Sequence, residues 1–141
     1  MYLEKNSLLY CWIYKAASSS WRRLFFEASN MTVPEDVWLN TAIQIFRPKE
    51  NVSLKDLFAN STVSFAFVRH PFERLVSAYR DKFELATEPD QKFFSFLIPE
   101  EVKNKIKSFK QFVSYLLHIS VLDYNDHWLP FWLNCNFCDN K

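Results

Sequence analysis

The chain has 141 residues, a formal net charge of +1, 49% hydrophobic and 18% aromatic residues, and no glycine. Such a length holds one domain, its apolar content excludes a disordered chain, and its near-neutral charge excludes a nucleic-acid or lipid partner gathered by a global field. Without glycine neither the GxxxxGK[ST] phosphate loop nor the GxGxxG dinucleotide fingerprint can form, which removes the nucleotide kinases built on such a loop.

Residues 8–13 (LLYCWI) are a continuous apolar run of the kind a buried strand shows, and Cys11 inside it reads as a buried thiol. Ser18, Ser19 and Ser20 precede Trp21, Leu24, Phe25 and Ala28, whose spacing predicts a helix with a serine N-cap. Pro34 and Pro48 break residues 29–62, where a short strand is expected at 41–46 and a short helix near 53–59. Residues 63–68 (VSFAFV) predict a second buried strand, closed by Arg69-His70-Pro71. Pro71 suits a first helical turn, and Phe72, Leu75, Val76, Tyr79 and Phe83 recur at helical spacing as an apolar stripe. Residues 85–108 read as a charged surface excursion with some helix, and 109–119 as an amphipathic helix. The tail 123–141 shows no clear pattern. Two strand–loop–helix units predict an α/β fold with a parallel sheet.

No apolar run reaches the roughly 18 residues needed to span a bilayer. Glu4, Lys5 and Asn6 interrupt the start, so no signal peptide is legible. Asn30, Asn51 and Asn60 open N-x-Ser/Thr sequons, which suit a secretory lumen. Cys135 and Cys138 form a CxxC with three readings. These are a disulfide, a zinc site with His127 that lacks a fourth ligand, and a redox pair without its usual context.

Ligands of open α/β sheets sit at the carboxyl ends of the strands. Both expected strand ends carry groups suited to an anion. Lys15-Ala16-Ala17-Ser18-Ser19-Ser20-Trp21-Arg22 offers an ammonium, small residues that let backbone N–H groups approach, hydroxyl donors and a helix N-terminus. Arg69 can fork onto a phosphate, or pair with Glu73 instead, and Ser77 lies off the apolar stripe. Arg74 reads as a surface residue. His70 neighbours Arg69, and His118 falls within a helix, where packing is the commoner role. His127 is either a general base or a packing residue beside Trp128.

These segments resemble the two donor-binding elements of the Golgi carbohydrate sulfotransferases, the family of the chondroitin 4-O-sulfotransferases and the HNK-1 sulfotransferase. Lys15 to Arg22 resembles the first element, with Tyr14 where the family has proline. Phe67 to Phe83 resembles the second continuously, and Asp126-His127-Trp128 with Cys135 and Cys138 is similar to the family's His-Trp…Cys-x-x-Cys element. The resemblance implies a P-loop-like three-layer sulfotransferase fold with a central parallel sheet. Residues 1–141 would form a single partial domain, incomplete at the C-terminus and without the family's N-terminal anchor, which would be its only link to a membrane. It implies sulfuryl transfer from 3′-phosphoadenosine 5′-phosphosulfate (PAPS) to a glycan hydroxyl in the Golgi lumen, with no metal and no nucleic-acid partner. The acceptor would be of chondroitin, dermatan or HNK-1 type. Lys15 through Arg22 would bind the 5′-phosphosulfate, and Arg69 and Ser77 the 3′-phosphate. Lys15 would also act in catalysis, with His127 as the base. The alternative is a catalytically inactive relative that binds a glycan or a partner.

Overall fold

A computed structural model of the chain describes residues 1–32, 42, 44–47, 63–85 and 98–134. The chain forms two compact units, Met1–Ile13 with Ala17–Phe67 and Tyr14–Ala16 with Val68–Lys141.

The first unit is built on a three-stranded mixed sheet of order β1-β2-β3. β1 (Tyr2–Leu3) runs antiparallel to β2 (Leu8–Cys11), and β2 runs parallel to β3 (Val63–Ala66), with Leu8 opposite Val63 and Cys11 opposite Ala66. The two expected parallel neighbours therefore pair, and β1 was not legible because two residues carry no periodicity. β3 is not the buried strand its composition suggests. Val63 and Ser64 are exposed and Phe65 and Ala66 half-buried, as on an edge strand of the described sheet.

α1 (Ser18–Ala28) starts where the serines predict, but its N-cap is Ala17 in the left-handed region and no side chain caps it. The serines occupy the first turn instead. Phe25 and Phe26 turn inward with Leu3, Tyr10, Ala42 and Phe46, the core of this unit. The Phe26 and Phe46 rings meet edge-on at 5.0 Å. Each such side chain contributes about 1.5–3 kcal/mol by leaving water. The strand expected at 41–46 is absent from its described residues. Ala42, Gln44 and Ile45 are helical, and the Phe46 amide donates to the Ala42 carbonyl at 3.0 Å. The helix expected near 53–59 lies outside the described residues.

Cys11 is disulfide-bonded, which corrects its reading as a buried thiol. It is the half-buried last residue of β2. Cys135 and Cys138 lie outside the described residues.

The second unit is helical. α2 (Pro71–Tyr79) has Pro71 in its first turn and runs into a π-helical turn, Arg80–Glu84, where the Leu85 amide donates to the Arg80 carbonyl at 2.7 Å. Leu75, Tyr79 and Phe83 of the predicted stripe pack in the core of this unit, but Phe72 and Val76 do not. Phe72 is 74% exposed and Val76 is also exposed, while Arg74, Ala78 and Lys82 are buried, one row at i, i+4, i+8. Arg74 is thus not a surface residue. α3 (Glu100–Lys105) supplies the helix expected within 85–108. α4 (Phe109–His118) falls where its amphipathic pattern predicts, capped by Ser108, whose hydroxyl accepts from the Gln111 amide. A 3-10 turn (Val121–Asp123) and a short α5 (Phe131–Asn134) follow. The core gathers on Phe112, with Trp128 edge-on at 5.3 Å and Phe83 at 5.1 Å. Among the described residues no helix is long and apolar enough to cross a membrane.

Candidate functional site

A chain without glycine must take left-handed turns with other residues. Among the described residues it does so at Ser7, Lys15, Ala17 and Asn30, with φ between 50° and 64°. Two of the four fall in the loop after β2, where Lys15 (φ 64°) and Ala17 (φ 58°) bend the backbone towards α1. A left-handed residue with a Cβ is strained, and such strain collects at ligand-binding turns.

In the second unit, that loop's Lys15 donates its ammonium to Asp81 Oδ2 at 2.7 Å. Lys82 reaches the same oxygen at 2.6 Å. Burial pushes the Asp81 carboxyl up, but hydrogen bonds and charge from Lys15 and Lys82 outweigh it and hold it below the usual carboxylate value. Both ammonium groups thus meet on one carboxylate oxygen.

His127 belongs to the same cluster. Its ring lies 4.5 Å from that of Tyr14 and its Nδ1 is 2.6 Å from Asn125 Oδ1, which also accepts from the His127 amide at 3.1 Å. An amide oxygen only accepts, so the imidazole proton sits on Nδ1 and Nε2 is the basic nitrogen. Burial pulls the His127 pKa down to about 3, helped by the charges of Lys82, Lys15 and Arg74 and opposed by Asp81.

Arg74 ties the segments together. Its Nε donates to the Tyr14 carbonyl at 2.7 Å, one terminal nitrogen to the Leu129 carbonyl at 2.7 Å and the other to the Asp126 carbonyl at 3.0 Å. Burial lowers its pKa from the usual guanidinium value, with the Asp126 charge opposing. The planar fork satisfies three backbone acceptors at once, which a lysine cannot do.

Arg69 stands just beyond β3, exposed, with Nε 3.2 Å from Glu73. Ser77 is half-buried on α2. Glu73, Ser77 and Asp81 follow at four-residue steps, so the partners of Arg69 and Lys15 flank Ser77 along one side of this helix. From Glu73 to Asp81 the rise is roughly 12 Å at 1.5 Å per residue, the scale of a nucleotide with an anionic group at each end.

The remaining predicted residues lie elsewhere. Ala16 is buried in the second unit; Ala17, Ser18, Ser19, Ser20, Trp21 and Arg22 belong to the first. Ser18 is buried, Ser19 and Ser20 are exposed and Arg22 is half-buried. Trp21 packs its ring against Phe67 at 4.5 Å and Phe65 at 5.1 Å. His70 is exposed at the start of α2, and His118 is exposed with its Nδ1 2.6 Å from the Ser114 carbonyl. Asn30 is exposed after α1, while Asn51 and Asn60 lie outside the described residues.

Sequence reasoning missed Asp81, Lys82, Asn125 and the role of Arg74. The 74-78-82 spacing was the available signal, masked by reading Arg74 as a surface residue.

Lys15, Lys82 and Asp81 thus form a polar cluster in the second unit, with His127 under the influence of its charges. The sulfotransferase family model matches residues 1–141, and the chain belongs to that family. It is similar to carbohydrate sulfotransferase 11 of Rattus norvegicus, with 32% identity over 161 residues, 96% of this chain and 44% of the relative. Carbohydrate sulfotransferase 14 of Homo sapiens is 28% identical over 151 residues (96% and 39%), and carbohydrate sulfotransferase 12 of Xenopus laevis 25% over 173 (96% and 41%). The chain thus spans less than half the length of these curated relatives. No solved structure matches it.

Proposed function

We propose that this chain is the donor-binding part of a Golgi carbohydrate sulfotransferase that uses PAPS and acts on a glycan hydroxyl. Its α/β fold would be the three-layer, P-loop-like sulfotransferase fold, with residues 1–141 forming one partial domain. The observation that carries the reading is the row along α2 and the π-helical turn after it, where Arg69 through Glu73, then Ser77, then Lys15 through Asp81 follow at four-residue steps.

The donor supplies an activated sulfuryl group on a 5′-phosphate. Arg69 and Ser77 hold its 3′-phosphate, the first by a charge-assisted fork and the second through its hydroxyl. Ala16 to Arg22 offer amide, hydroxyl and guanidinium donors to the 5′ end. Lys15 holds positive charge where negative charge grows on the leaving oxygen. His127 takes the acceptor's hydroxyl proton on Nε2, oriented by the Nδ1–H bond to Asn125. Sulfated glycans of chondroitin, dermatan or HNK-1 type are the expected products.

Calorimetry with PAP, the desulfated donor, and with ATP tests the reading. Binding of PAP but not ATP supports it, and no binding of PAP overturns it. Radiolabelled sulfate transfer to a panel of chondroitin and HNK-1-type acceptors then separates an enzyme from a binding protein that has lost turnover.

A further inference from the structure

The near-neutral total charge hides an uneven distribution. The chain carries 17 basic and 16 acidic residues, yet residues 102–122 hold four lysines and no aspartate or glutamate, which leaves 13 basic against 16 acidic residues elsewhere. The four are Lys103, Lys105, Lys107 and Lys110, at the end of α3 and the start of α4. Lys103 is half-buried and partnered, but Lys105, Lys107 and Lys110 are exposed, and among the described residues no ion pair reaches them. Ile106 and Phe109 seat the segment on the core of the second unit. Ile106 is buried in extended backbone, φ −90° and ψ 95°, and its two lysine neighbours turn outward as alternation along an extended chain requires. Phe109 meets Tyr79 edge-on at 5.6 Å, and Phe112 meets Phe83 and Trp128, so the segment is fixed to the core that carries the π-helical turn and His127-Trp128. Helix energetics accounts for Lys105, in the last turn of α3, where the dipole is negative. It does not account for Lys107 and Lys110, which stand at the positive end of α4 with no acidic residue in its first turn. Like charges gathered there repel, and the fold gains nothing from them.

We propose that Lys105, Lys107 and Lys110 form a surface that holds an acidic polysaccharide, the uronate-bearing chain on which the acceptor hydroxyl stands. A chondroitin- or dermatan-type chain offers one carboxylate per disaccharide, a row of separated anions that exposed ammonium groups meet as point charges. The stretch 102–122 has no arginine, and Phe109 and Phe112 pack inward, so it lacks the planar forks and stacking faces that nucleic-acid recognition uses. The proposal rests on the reading that the acceptor is a glycan, and adds to it the surface that would grip the glycan's charge.

The experiment measures binding of the 141-residue chain to immobilised unsulfated chondroitin, with calorimetry of PAP on the same samples. The wild type should bind chondroitin, release it as salt rises, and ignore chondroitin whose carboxyl groups have been reduced to alcohols. Lys105→Gln, Lys107→Gln and Lys110→Gln together should weaken chondroitin by roughly tenfold or more, the scale of three lost exposed charge contacts, and leave PAP unchanged. Lys105→Arg, Lys107→Arg and Lys110→Arg together should keep most of the binding, because the charge remains. Melting temperatures check that each variant folds, and Lys107→Gln alone, a smaller change, should weaken chondroitin by about twofold. A wild type that does not bind chondroitin, or that binds the carboxyl-reduced polymer equally, overturns the surface. So does a folded triple glutamine variant that binds chondroitin like the wild type, or that loses PAP as well. Tighter binding to a thymidine oligonucleotide or to phosphatidylserine vesicles than to chondroitin overturns its assignment to a glycan. A wild type that fails to bind PAP overturns the donor-site reading instead, whatever chondroitin does.

Discussion

Arg74 and Tyr14 lie sixty positions apart in the chain, and the Arg74 guanidinium donates to the Tyr14 carbonyl at 2.7 Å. The same group holds the carbonyls of Leu129 and Asp126, so one buried side chain fixes the residue before Lys15 and the residues on either side of His127-Trp128. Removing it orphans three backbone acceptors. Arg74→Leu should therefore destabilise the fold by about 3 kcal/mol or more, and Arg74→Lys should recover little, since an ammonium cannot reproduce the fork. Urea denaturation midpoints check both.

Ala17 tests what the lack of glycine does to the fold. It caps α1 at φ 58° and ψ 24°, a conformation that strains any residue with a Cβ. Ala17→Gly should stabilise the chain by about 1 kcal/mol, less whatever the unfolded state gains in freedom. Chemical denaturation reads the difference, and a loss of stability would mean that the alanine methyl packs usefully there.

How much of this was legible follows from which forces leave a periodic trace. The parallel pairing of β2 with β3, α1, α2 and α4 came from apolar runs and helical spacing, and those are visible in one dimension. Lys15 and His127 were singled out by residue type, but the contacts that define their setting were not. Asp81 carries no sequence mark that separates a bridging carboxylate from a solvated one. Arg74 and Lys82 were hidden because a buried cation looks like a surface cation until its partners, over fifty positions away for Arg74, are known. The 41–46 segment misled because a short apolar run fits a strand and a helix equally.

Arg69 separates binding from stability. Its pairing with Glu73 is exposed on both sides, and exposed pairs contribute about 0–1 kcal/mol. Arg69→Ala should leave the melting curve nearly unchanged yet weaken PAP by about 2–4 kcal/mol through loss of a charged contact. Ser77→Ala should weaken it by about 1 kcal/mol. Calorimetry and thermal melts on the same samples check the split, and unchanged PAP affinity in Arg69→Ala would remove Arg69 from the donor site.

His127 makes stability depend on pH with a definite sign. Its folded pKa of about 3 lies below the unfolded value of 6.5, so the unfolded chain binds the extra proton first. The stabilisation is complete above about pH 6.5 and drains away as pH falls towards 3, at up to about 1.4 kcal/mol per pH unit. His127→Gln should flatten this part of the stability profile, measured by urea titrations between pH 4 and 7. A donor anion held at Lys15 would offset part of the positive field on the ring, so PAP should raise the His127 pKa in an NMR titration. Burial, the largest cause, would keep it below the ordinary value.

Lys15 is a question of catalysis more than of binding. Its ammonium rests on Asp81 in the free protein, with its side chain mostly covered, and the proposed chemistry asks it to meet charge that develops on the leaving oxygen. An interaction that strengthens only in the transition state appears in kcat rather than in donor affinity. In a full-length enzyme Lys15→Ala should therefore lower kcat by roughly 10²-fold or more, the scale of a lost transition-state donor. Lys15→Arg should rescue this only in part, because a wide planar fork does not replace a compact charge beside a left-handed turn. Donor affinity should fall less than kcat does. Steady-state sulfate transfer at varied PAPS concentration, for the wild type and both variants, gives the two parameters separately. If Lys15→Ala raises only the KM for PAPS and leaves kcat intact, Lys15 anchors the donor and takes no part in the transfer itself.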